Sequence, residues 1–160
     1  MENTESRLLG YPDIDLLFDY FQESDLNDST KFYTSHKLIL SKLQNVDLRR
    51  AMFDYKIIVY AKLVDGRIDS FVMFSVPSAV EKTTAVEILA MTENDFVLEA
   101  MEYVKRELEY RGWTKAKINF IKIQENDALQ GVLSRCGFEK EVEVKSHDES
   151  LDYYEYSYMF

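Results

Sequence analysis

The sequence predicts a mixed α/β fold of the α+β type. In this fold a twisted, mostly antiparallel sheet of about six to seven strands carries helices on both faces. Two patterns give this prediction: a hairpin of two apolar strands stands before a third strand, and from there helices and strands alternate. The 160 residues are 46% hydrophobic. That content is enough for a substantial core, and we expect residues 1–160 to form one domain.

The first third of the chain has mainly helical periodicity. Residues 6–9 suggest a short edge strand only weakly, whereas the apolar residues between positions 14 and 21 recur at helical spacing. A second helix is predicted from residue 32 to residue 43. Residues 45–54 are a candidate for a further helical turn.

The middle of the chain changes to strand periodicity. Residues 56–64 and 67–76 are rich in β-branched and aromatic side chains, and Asp65-Gly66 between them is a strong type I′ turn signal. Pro77 ends the second strand. The apolar run 85–91 predicts a central third strand, and a long helix follows over about 94–111.

A strand over 115–123 precedes a short helix in the segment NDALQGVLSRCGF. Asn126 stands at the N-cap position of this helix, and Gly137 follows its last apolar turn, where the left-handed backbone region is needed. Cys136 beside it is interpreted as a core side chain, because buried free cysteine behaves as a small hydrophobe.

Two strands with strict alternation end the chain, over 138–145 and 151–160. The second of them places four aromatic residues on one side: Tyr154, Tyr156, Tyr158 and Phe160. This aromatic side predicts either a sheet face covered by other elements or an association surface, for example in a homodimer.

The charge balance is strongly acidic, with a formal net charge of -10. Such a field repels nucleic acid and anionic membranes and concentrates cations. It suits an amine substrate such as a polyamine, an aminoglycoside or a protein amine, but it also serves solubility alone. The sequence has a single cysteine, no membrane-length apolar run and no signal-peptide pattern, which favours a cytoplasmic location.

The element order over about residues 13–160 resembles that of the GNAT family of CoA-dependent N-acyltransferases. The resemblance is carried by the Asp65-Gly66 hairpin, the strand AVEILAM, the long helix after it, the strand AKINFIKI and the segment NDALQGVLSRCGF. It implies a transferase that uses acetyl-CoA as co-substrate and no metal. The acetyl group would pass to a primary amine of a small molecule or a protein by direct attack.

The same resemblance implies where the cofactor would bind. The backbones of Leu89 and Met91 would contact the pantetheine, and Asn126 would line the cofactor cleft. The pyrophosphate would bind at the N-terminus of the long helix, through the amides of Asn94, Asp95 and Phe96.

Two departures from the family pattern favour an alternative function. The stretch TENDFV, where the family has small and basic residues, contains no glycine and no cation. Its acids would repel a diphosphate, and its simplest interpretation is a helix cap. Leu133 stands where the family often has a tyrosine that protonates the leaving thiolate, and leucine cannot donate a proton. The alternative is therefore a catalytically inactive GNAT-like module that binds a protein partner or itself.

Glu87 is the candidate catalytic base. It lies between Val86 and Ile88 in the third strand, and some family members carry a glutamate on this strand. Burial disfavours the charged form of a carboxylate, which suits a group that must accept a proton from an amine. The alternative role is an ordinary sheet glutamate paired with a lysine.

Overall fold

A computed structural model of the chain describes residues 2–23, 32–34, 45–54, 56–75, 86–92, 94–110, 112, 115–121, 127–144 and 153–159. The strands are β1 (Thr4–Leu8), β2 (Phe32–Thr34), β3 (Ile57–Val64), β4 (Arg67–Ser75), β5 (Val86–Thr92), β6 (Lys115–Ile121), β7 (Glu139–Val144) and β8 (Tyr153–Met159). The helices are α1 (Ile14–Glu23), α2 (Asn45–Phe53), α3 (Phe96–Tyr110) and α4 (Asp127–Arg135), with a short 3₁₀ turn (Tyr11–Asp13) before α1.

All eight described strands belong to one sheet with the order β1-β3-β4-β5-β6-β8-β7. Every neighbouring pair is antiparallel except β5 and β6, which are parallel. The remaining strand, β2, lies off this path and pairs antiparallel with β5. The mixed, mostly antiparallel sheet predicted from the sequence is confirmed.

Helices cover both faces of the sheet, as predicted. On the α1–α2 face, the apolar sides of these helices pack on β3, β4 and β5, with a core that includes Ile14, Leu17, Leu48, Phe71 and Met73. On the α3–α4 face, a second core includes Val97, Met101, Leu133, Phe74, Ile88 and Tyr156. Among the described residues, no helix combines the length and apolar character that crossing a bilayer requires.

The hairpin between β3 and β4 is confirmed. Asp65 and Gly66 both have positive φ, 52° and 81°, as both central residues of a type I′ turn require. The Asp65 side chain also accepts a hydrogen bond from the Asn3 amide at 3.0 Å, and the Asp65 amide donates to the Asn3 carbonyl at 2.8 Å. The turn therefore also holds the N-terminal strand β1 at the edge of the sheet.

Three early elements differ from the sequence prediction. The helix predicted over 32–43 is wrong at its start, because Phe32–Thr34 is a strand, and residues 35–43 lie outside the described residues. Aromatic and β-branched residues form strands readily when a free sheet edge is available, and β5 offers one. Residues 45–53 form a full helix rather than a single turn, and the weak strand signal before α1 corresponds to β1. These two extra strands raise the described number to eight.

The aromatic side of β8 is covered by the chain itself. Tyr154 and Tyr156 are 8% exposed and belong to the core of the α3–α4 face, and the half-buried Tyr158 packs against that core. An association surface formed by Tyr154 and Tyr156 is therefore wrong, because their rings are already buried. Phe160, predicted for the same side, lies outside the described residues.

Candidate active site

The candidate site begins where β5 and β6 part. Among the described residues their parallel register covers three pairs, and the last of them joins Ile88 to Ile118. Beyond this point β5 continues to Thr92 beside β4, and β6 continues to Ile121 beside β8. Two neighbouring strands thus separate into a fork in the middle of the sheet. We call this feature the β5–β6 fork.

A β-bulge at Leu89 accompanies the fork. Ile88 lies opposite Phe74 and Ala90 lies opposite Met73, so Leu89 is an extra residue without a partner on β4. A bulge bends its strand and increases the local twist, which turns β5 away from β6. Leu89 then packs in the core of the α1–α2 face, whereas Met91 packs in the core of the α3–α4 face.

The strand β2 occupies the edge of β5 that β6 leaves. Its register joins Thr34 to Ala90, Tyr33 to Met91 and Phe32 to Thr92. Because β4 pairs with the other edge of β5 over the same residues, β2 must lie on the side of the fork. An extended ligand that paired with Met91 on this side would compete with β2. Only Leu89 falls between the end of the β6 register and the start of the β2 register.

The side chain of Asn94 caps the helix α3 and also forms hydrogen bonds to the sheet. Its Oδ1 accepts hydrogen bonds from the Phe96 amide and the Thr92 hydroxyl, both at 3.2 Å, and its Nδ2 donates to the Ser70 hydroxyl at 2.8 Å. The helix-cap interpretation of this segment is confirmed. The Asn94 amide itself donates to the Thr92 carbonyl at 2.9 Å. Two of the three amides predicted to hold a pyrophosphate, those of Asn94 and Phe96, therefore already have acceptors.

A cation missed by the sequence analysis lies at the start of α3. The guanidinium of Arg135, in the last turn of α4, donates to the carboxylate of Asp95 at 2.5 Å. Both side chains are largely exposed, at 56% and 69%. The two residues are 40 positions apart, so local spacing could not reveal the pair. Arg135 thus places at this helix terminus the positive charge that the segment TENDFV lacks.

Glu87 lies in β5 two residues before the bulge. It is half-buried, and its register partners are Ser75 on β4 and Lys117 on β6. Strand alternation puts it on the same face as the position two residues on, Leu89. Glu87 interacts with another group of the chain, so it is not an isolated carboxylate. Its position near the fork agrees with both roles considered above, and its role as a base stays a prediction.

The end of α4 is a Schellman motif. The Phe138 amide donates to the Leu133 carbonyl at 2.9 Å, the Gly137 amide donates to the Ser134 carbonyl at 3.0 Å, and Gly137 has φ of 87°. A side chain at Gly137 would also meet the ring of Tyr158 at 3.2 Å. This motif fixes Leu133 and Phe138 in the core of the α3–α4 face, where Leu133 is fully buried. Leu133 therefore contributes packing at the position where the GNAT family often has a proton-donating tyrosine.

Cys136 packs against the same core, as the sequence analysis expected. Burial raises the pKa of its thiol to about 11, an effect that Arg135 only partly opposes. The group is therefore a neutral thiol near pH 7 rather than a nucleophilic thiolate.

One predicted site residue, Asn126, lies outside the described residues. The parts of the chain that the structure describes contain no group of three or more side chains suited to hold a metal ion.

No protein-family model matches the chain, and no curated protein matches it in sequence. Solved structures do match. A probable acetyltransferase from Staphylococcus epidermidis ATCC 12228 shares 14% identity with a TM-score of 0.74, over 98% of this chain and 99% of that chain. An acetyltransferase of the GNAT family from Streptococcus pneumoniae shares 12% identity with a TM-score of 0.70, over 99% and 100%.

A third similar structure is RimL, a ribosomal L7/L12 alpha-N-protein acetyltransferase in complex with coenzyme A. It shares 13% identity with a TM-score of 0.69, over 98% of this chain and 93% of that chain. At these identities the likeness concerns the fold, and it extends over nearly the whole chain. The mixed sheet, the fork between its parallel strands and these matches together show that the chain has the GNAT fold.

Proposed function

We propose that this protein is an acyl-CoA-dependent N-acyltransferase that acetylates a primary amine. The observation that carries the proposal is the β5–β6 fork, with its bulge at Leu89 and the N-terminus of α3 directly after β5. At the fork the backbone of Leu89 lies between the β6 register and the β2 register, where a ligand would reach it, and the helix terminus that follows β5 favours an anion. The names of the similar structures, which are acetyltransferases, support the same activity.

The reaction needs an acceptor amine in its neutral form. The amine nitrogen would attack the carbonyl carbon of the thioester, a nitrogen–carbon bond would form and the carbon–sulfur bond would break. A backbone amide of β5 at the fork would polarise the carbonyl oxygen. Glu87, directly or through a water molecule, would take the proton that the amine loses. With Leu133 in place of an acid, the leaving thiolate would take its proton from solvent.

Arg135 is the residue that we expect to bind the diphosphate. Guanidinium groups bind phosphate oxygens in a bidentate manner, and the exposed ion pair with Asp95 is worth little stability by itself. When acetyl-CoA binds, its diphosphate would therefore replace the Asp95 carboxylate as the partner of Arg135, and the diphosphate carries the higher negative charge. Asp95 would then be left without its cation, which lowers the net gain from this exchange.

The acceptor is an amine, and two classes are proposed. Two of the similar structures are named as ribosomal L7/L12 N-terminal acetyltransferases, which supports a protein α-amine. The formal net charge of -10 supports a small cationic amine equally well. A screen of N-terminal peptides and polyamines with acetyl-CoA would separate the two classes.

A second candidate function is a non-catalytic module on the same fold. Its support is specific: β2 pairs with β5 inside the fork, and the Asn94 and Phe96 amides already have acceptors. In such a module the cleft would be filled by the chain itself. The protein would then act through a partner rather than through CoA.

Calorimetric titration with acetyl-CoA separates these two functions. We expect micromolar binding for the acyltransferase, and Arg135→Ala should weaken it about tenfold, the usual value of one charge-assisted contact to phosphate. Arg67→Ala is the matched control, because Arg67 forms a similarly exposed pair with Glu23, on α1. Absence of binding at millimolar acetyl-CoA would contradict the acyltransferase and favour the module.

A kinetic experiment tests the role of Glu87. If Glu87 is the base, Glu87→Gln should lower kcat by about 10² or more with little change in acetyl-CoA affinity. Equal turnover in the variant and the unmodified protein would show that another group or water removes the proton.

A further inference from the structure

The two end strands of the sheet differ in their protection against pairing with another strand. At one end, β7 carries three glutamates, Lys140 and a bulge between Lys140 and Val142, which are features that discourage such pairing. At the other end, β1 pairs with β3 over five consecutive residues without a bulge, and it contains neither lysine nor proline. Among the described strands, none pairs with the outer edge of β1.

The backbone groups of β1 alternate between β3 and the outer edge. The Leu9 amide donates to the Val59 carbonyl at 2.9 Å. Because an antiparallel ladder bonds every second residue, the odd-numbered residues of this segment bond to β3. The amides and carbonyls of Thr4, Ser6 and Leu8 therefore point away from the sheet. We call this row of backbone groups the β1 edge.

The β1 edge is complementary to a second copy of itself. When two such edges run antiparallel with Ser6 opposite Ser6, Thr4 of each copy lies opposite Leu8 of the other. All outward groups then pair with one another, in about six hydrogen bonds between the copies. The Leu8 carbonyl already accepts from the guanidinium of Arg7 at 3.2 Å, but a carbonyl oxygen has two lone pairs and can accept a second bond.

The same register brings opposite charges together. Glu5 lies opposite Arg7 of the second copy, and the two-fold symmetry repeats this pair. Residues opposite each other in antiparallel strands have Cβ atoms about 4.5–5.5 Å apart, which is within reach of an ion pair. Within its own chain, Arg7 donates to Asp13 at 2.9 Å and lies 3.4 Å from Glu5. A guanidinium has five N–H donors, so it can keep these partners and add another carboxylate.

Exposed apolar side chains lie at the C-terminal end of β1. Leu8 is 37% exposed, and the rings of Tyr11 and Phe53, in edge contact at 5.5 Å, are 47% and 63% exposed. Tyr11 begins the 3₁₀ turn that follows β1. These three belong to the seven large apolar side chains that the described part of the chain leaves exposed. Exposed aromatic rings beside an open strand are typical of an association surface.

We propose that the protein forms a two-fold symmetric dimer by antiparallel pairing of two β1 edges centred on Ser6. The occupant is a second copy of this chain, because the charges of Glu5 and Arg7 are complementary to their own two-fold image. Closed two-fold dimers are also the commonest assemblies of identical chains. The inference goes beyond acyl transfer, since β5 and its fork lie three strands away from β1.

The test is sedimentation velocity of the unmodified protein over a range of concentrations. The net charge of -10 on each copy opposes association, so the salt is held at about 0.15 M, where the screening length is near 8 Å. We expect the average mass to rise from that of one chain toward that of two across the micromolar range. The mass of one chain up to about 1 mM would overturn the proposal, because even weak specific interfaces would associate there.

Charge-reversal variants test the register. Glu5→Arg and Arg7→Glu each place like charges opposite one another at both symmetric positions, so each should weaken the dimer about tenfold. An equimolar mixture of the two variants restores opposite charges at both positions. It should form a mixed dimer at a concentration at which each variant alone is a monomer. Absence of the mixed dimer, with both variants shown to be folded by urea denaturation, would overturn the proposal.

A proline variant tests the same edge without a change of charge. Thr4→Pro removes an outward donor at the first position of β1 but no hydrogen bond to β3, so the fold should be kept. Symmetry removes two hydrogen bonds between the copies, and the dimer should weaken several-fold or more. Unchanged association in Thr4→Pro would overturn the proposal, and this result does not depend on the folding of Arg7→Glu.

Glu143→Arg is the matched control for Glu5→Arg. Glu143 is an exposed acid on β7, at the opposite end of the sheet, and its reversal changes the net charge by the same amount. It should not weaken the dimer. A loss as large as that in Glu5→Arg would overturn the proposal, because the interface would then include β7. Failure of acetyl-CoA to bind would concern only the proposed function, because the sedimentation samples contain no acetyl-CoA.

Discussion

Asn94 determines the chemistry of the loop between β5 and α3. Its side chain accepts a hydrogen bond from the Phe96 amide in the first turn of α3 and donates one to the Ser70 hydroxyl in β4. Ser70 is 2% exposed, and its Oγ also donates to Asp69 at 3.0 Å. A single amide thus joins a helix terminus to a buried hydroxyl, so the loop is fixed without glycine.

Replacing this amide should destabilise the protein measurably. Asn94→Ala removes an N-cap and the donor to Ser70, so we expect the free energy of unfolding to fall by about 1–2 kcal/mol. Urea denaturation measures the change. Asn94→Asp keeps the capping oxygen and removes only the donor to Ser70, whose own proton already goes to Asp69, so it should lose less than Asn94→Ala. An equal loss in both variants would show that packing, rather than these hydrogen bonds, holds the loop.

Cys136 should react slowly with alkylating reagents in the folded protein. Burial raises its thiol pKa to about 11, against about 8.5 for an unfolded chain. At pH 8 the folded thiolate fraction is then about a hundredfold lower, partly offset by the greater nucleophilicity of a high-pKa thiolate. Iodoacetamide should therefore modify the folded protein at least about tenfold more slowly than the urea-unfolded protein.

The pH dependence of the alkylation rate shows whether the pKa of Cys136 is raised in the folded protein. Because the folded pKa is raised, the folded rate should still climb about tenfold per unit between pH 8 and pH 10, while the unfolded rate levels off above about 8.5. A folded rate that levels off below pH 9 would show an ordinary thiol that solvent reaches.

Sequence patterns predicted the residues whose role is local. The cap at Asn94, the left-handed Gly137 and the turn at Asp65-Gly66 each depend on neighbours within a few positions. The pair of Asp95 with Arg135 depends on two helix ends that meet only after folding, so no local pattern contains it.

At the scale of elements, the short strand β2 is the feature with the largest consequence for function. It pairs with the part of β5 that the fork leaves without β6. Three residues give few hydrogen bonds, and a strand this short contributes little stability by itself. An extended ligand that paired with this edge would therefore compete with β2 for it.

Weakening β2 should thus strengthen acetyl-CoA binding. Tyr33→Pro removes a backbone donor and disfavours the interior of a strand, so it should release the edge at Met91. We expect the dissociation constant for acetyl-CoA, measured by calorimetry, to fall several-fold. The matched control is Ser6→Pro in β1, which pairs with β3 far from the fork. Weaker binding in Tyr33→Pro than in Ser6→Pro would show instead that β2 helps to form the site.

The elements that the sequence predicted well are those with a regular period of their own. The β3–β4 hairpin was clear from its β-branched and aromatic runs on either side of Asp65-Gly66, and β8 was clear because its aromatic residues repeat every two positions. In β2 the aromatic residues at its start also fit a helical stripe, and only the free edge of β5 decides in favour of a strand. The fork itself depends on a one-residue register shift, which leaves no mark in a single sequence.

At the scale of the whole molecule, one local cation lies within a negative field. The α3–α4 face carries the core beneath the helix terminus that would hold an anion, with Arg135 as its cation. The formal net charge of the chain is -10. The protein would thus bind an anionic cofactor at a local positive charge while its overall field repels that cofactor.

That field should make acetyl-CoA associate faster at higher salt. Long-range repulsion slows the approach of acetyl-CoA at low salt, and screening by added salt weakens this repulsion. Raising the salt from about 0.01 M to about 0.3 M reduces the Debye length from about 30 Å to below 8 Å. The association rate constant of acetyl-CoA, from stopped-flow fluorescence, should therefore rise. If the rate constant fell with salt, the local charge of Arg135 would dominate the approach of acetyl-CoA, and the net charge would not govern it.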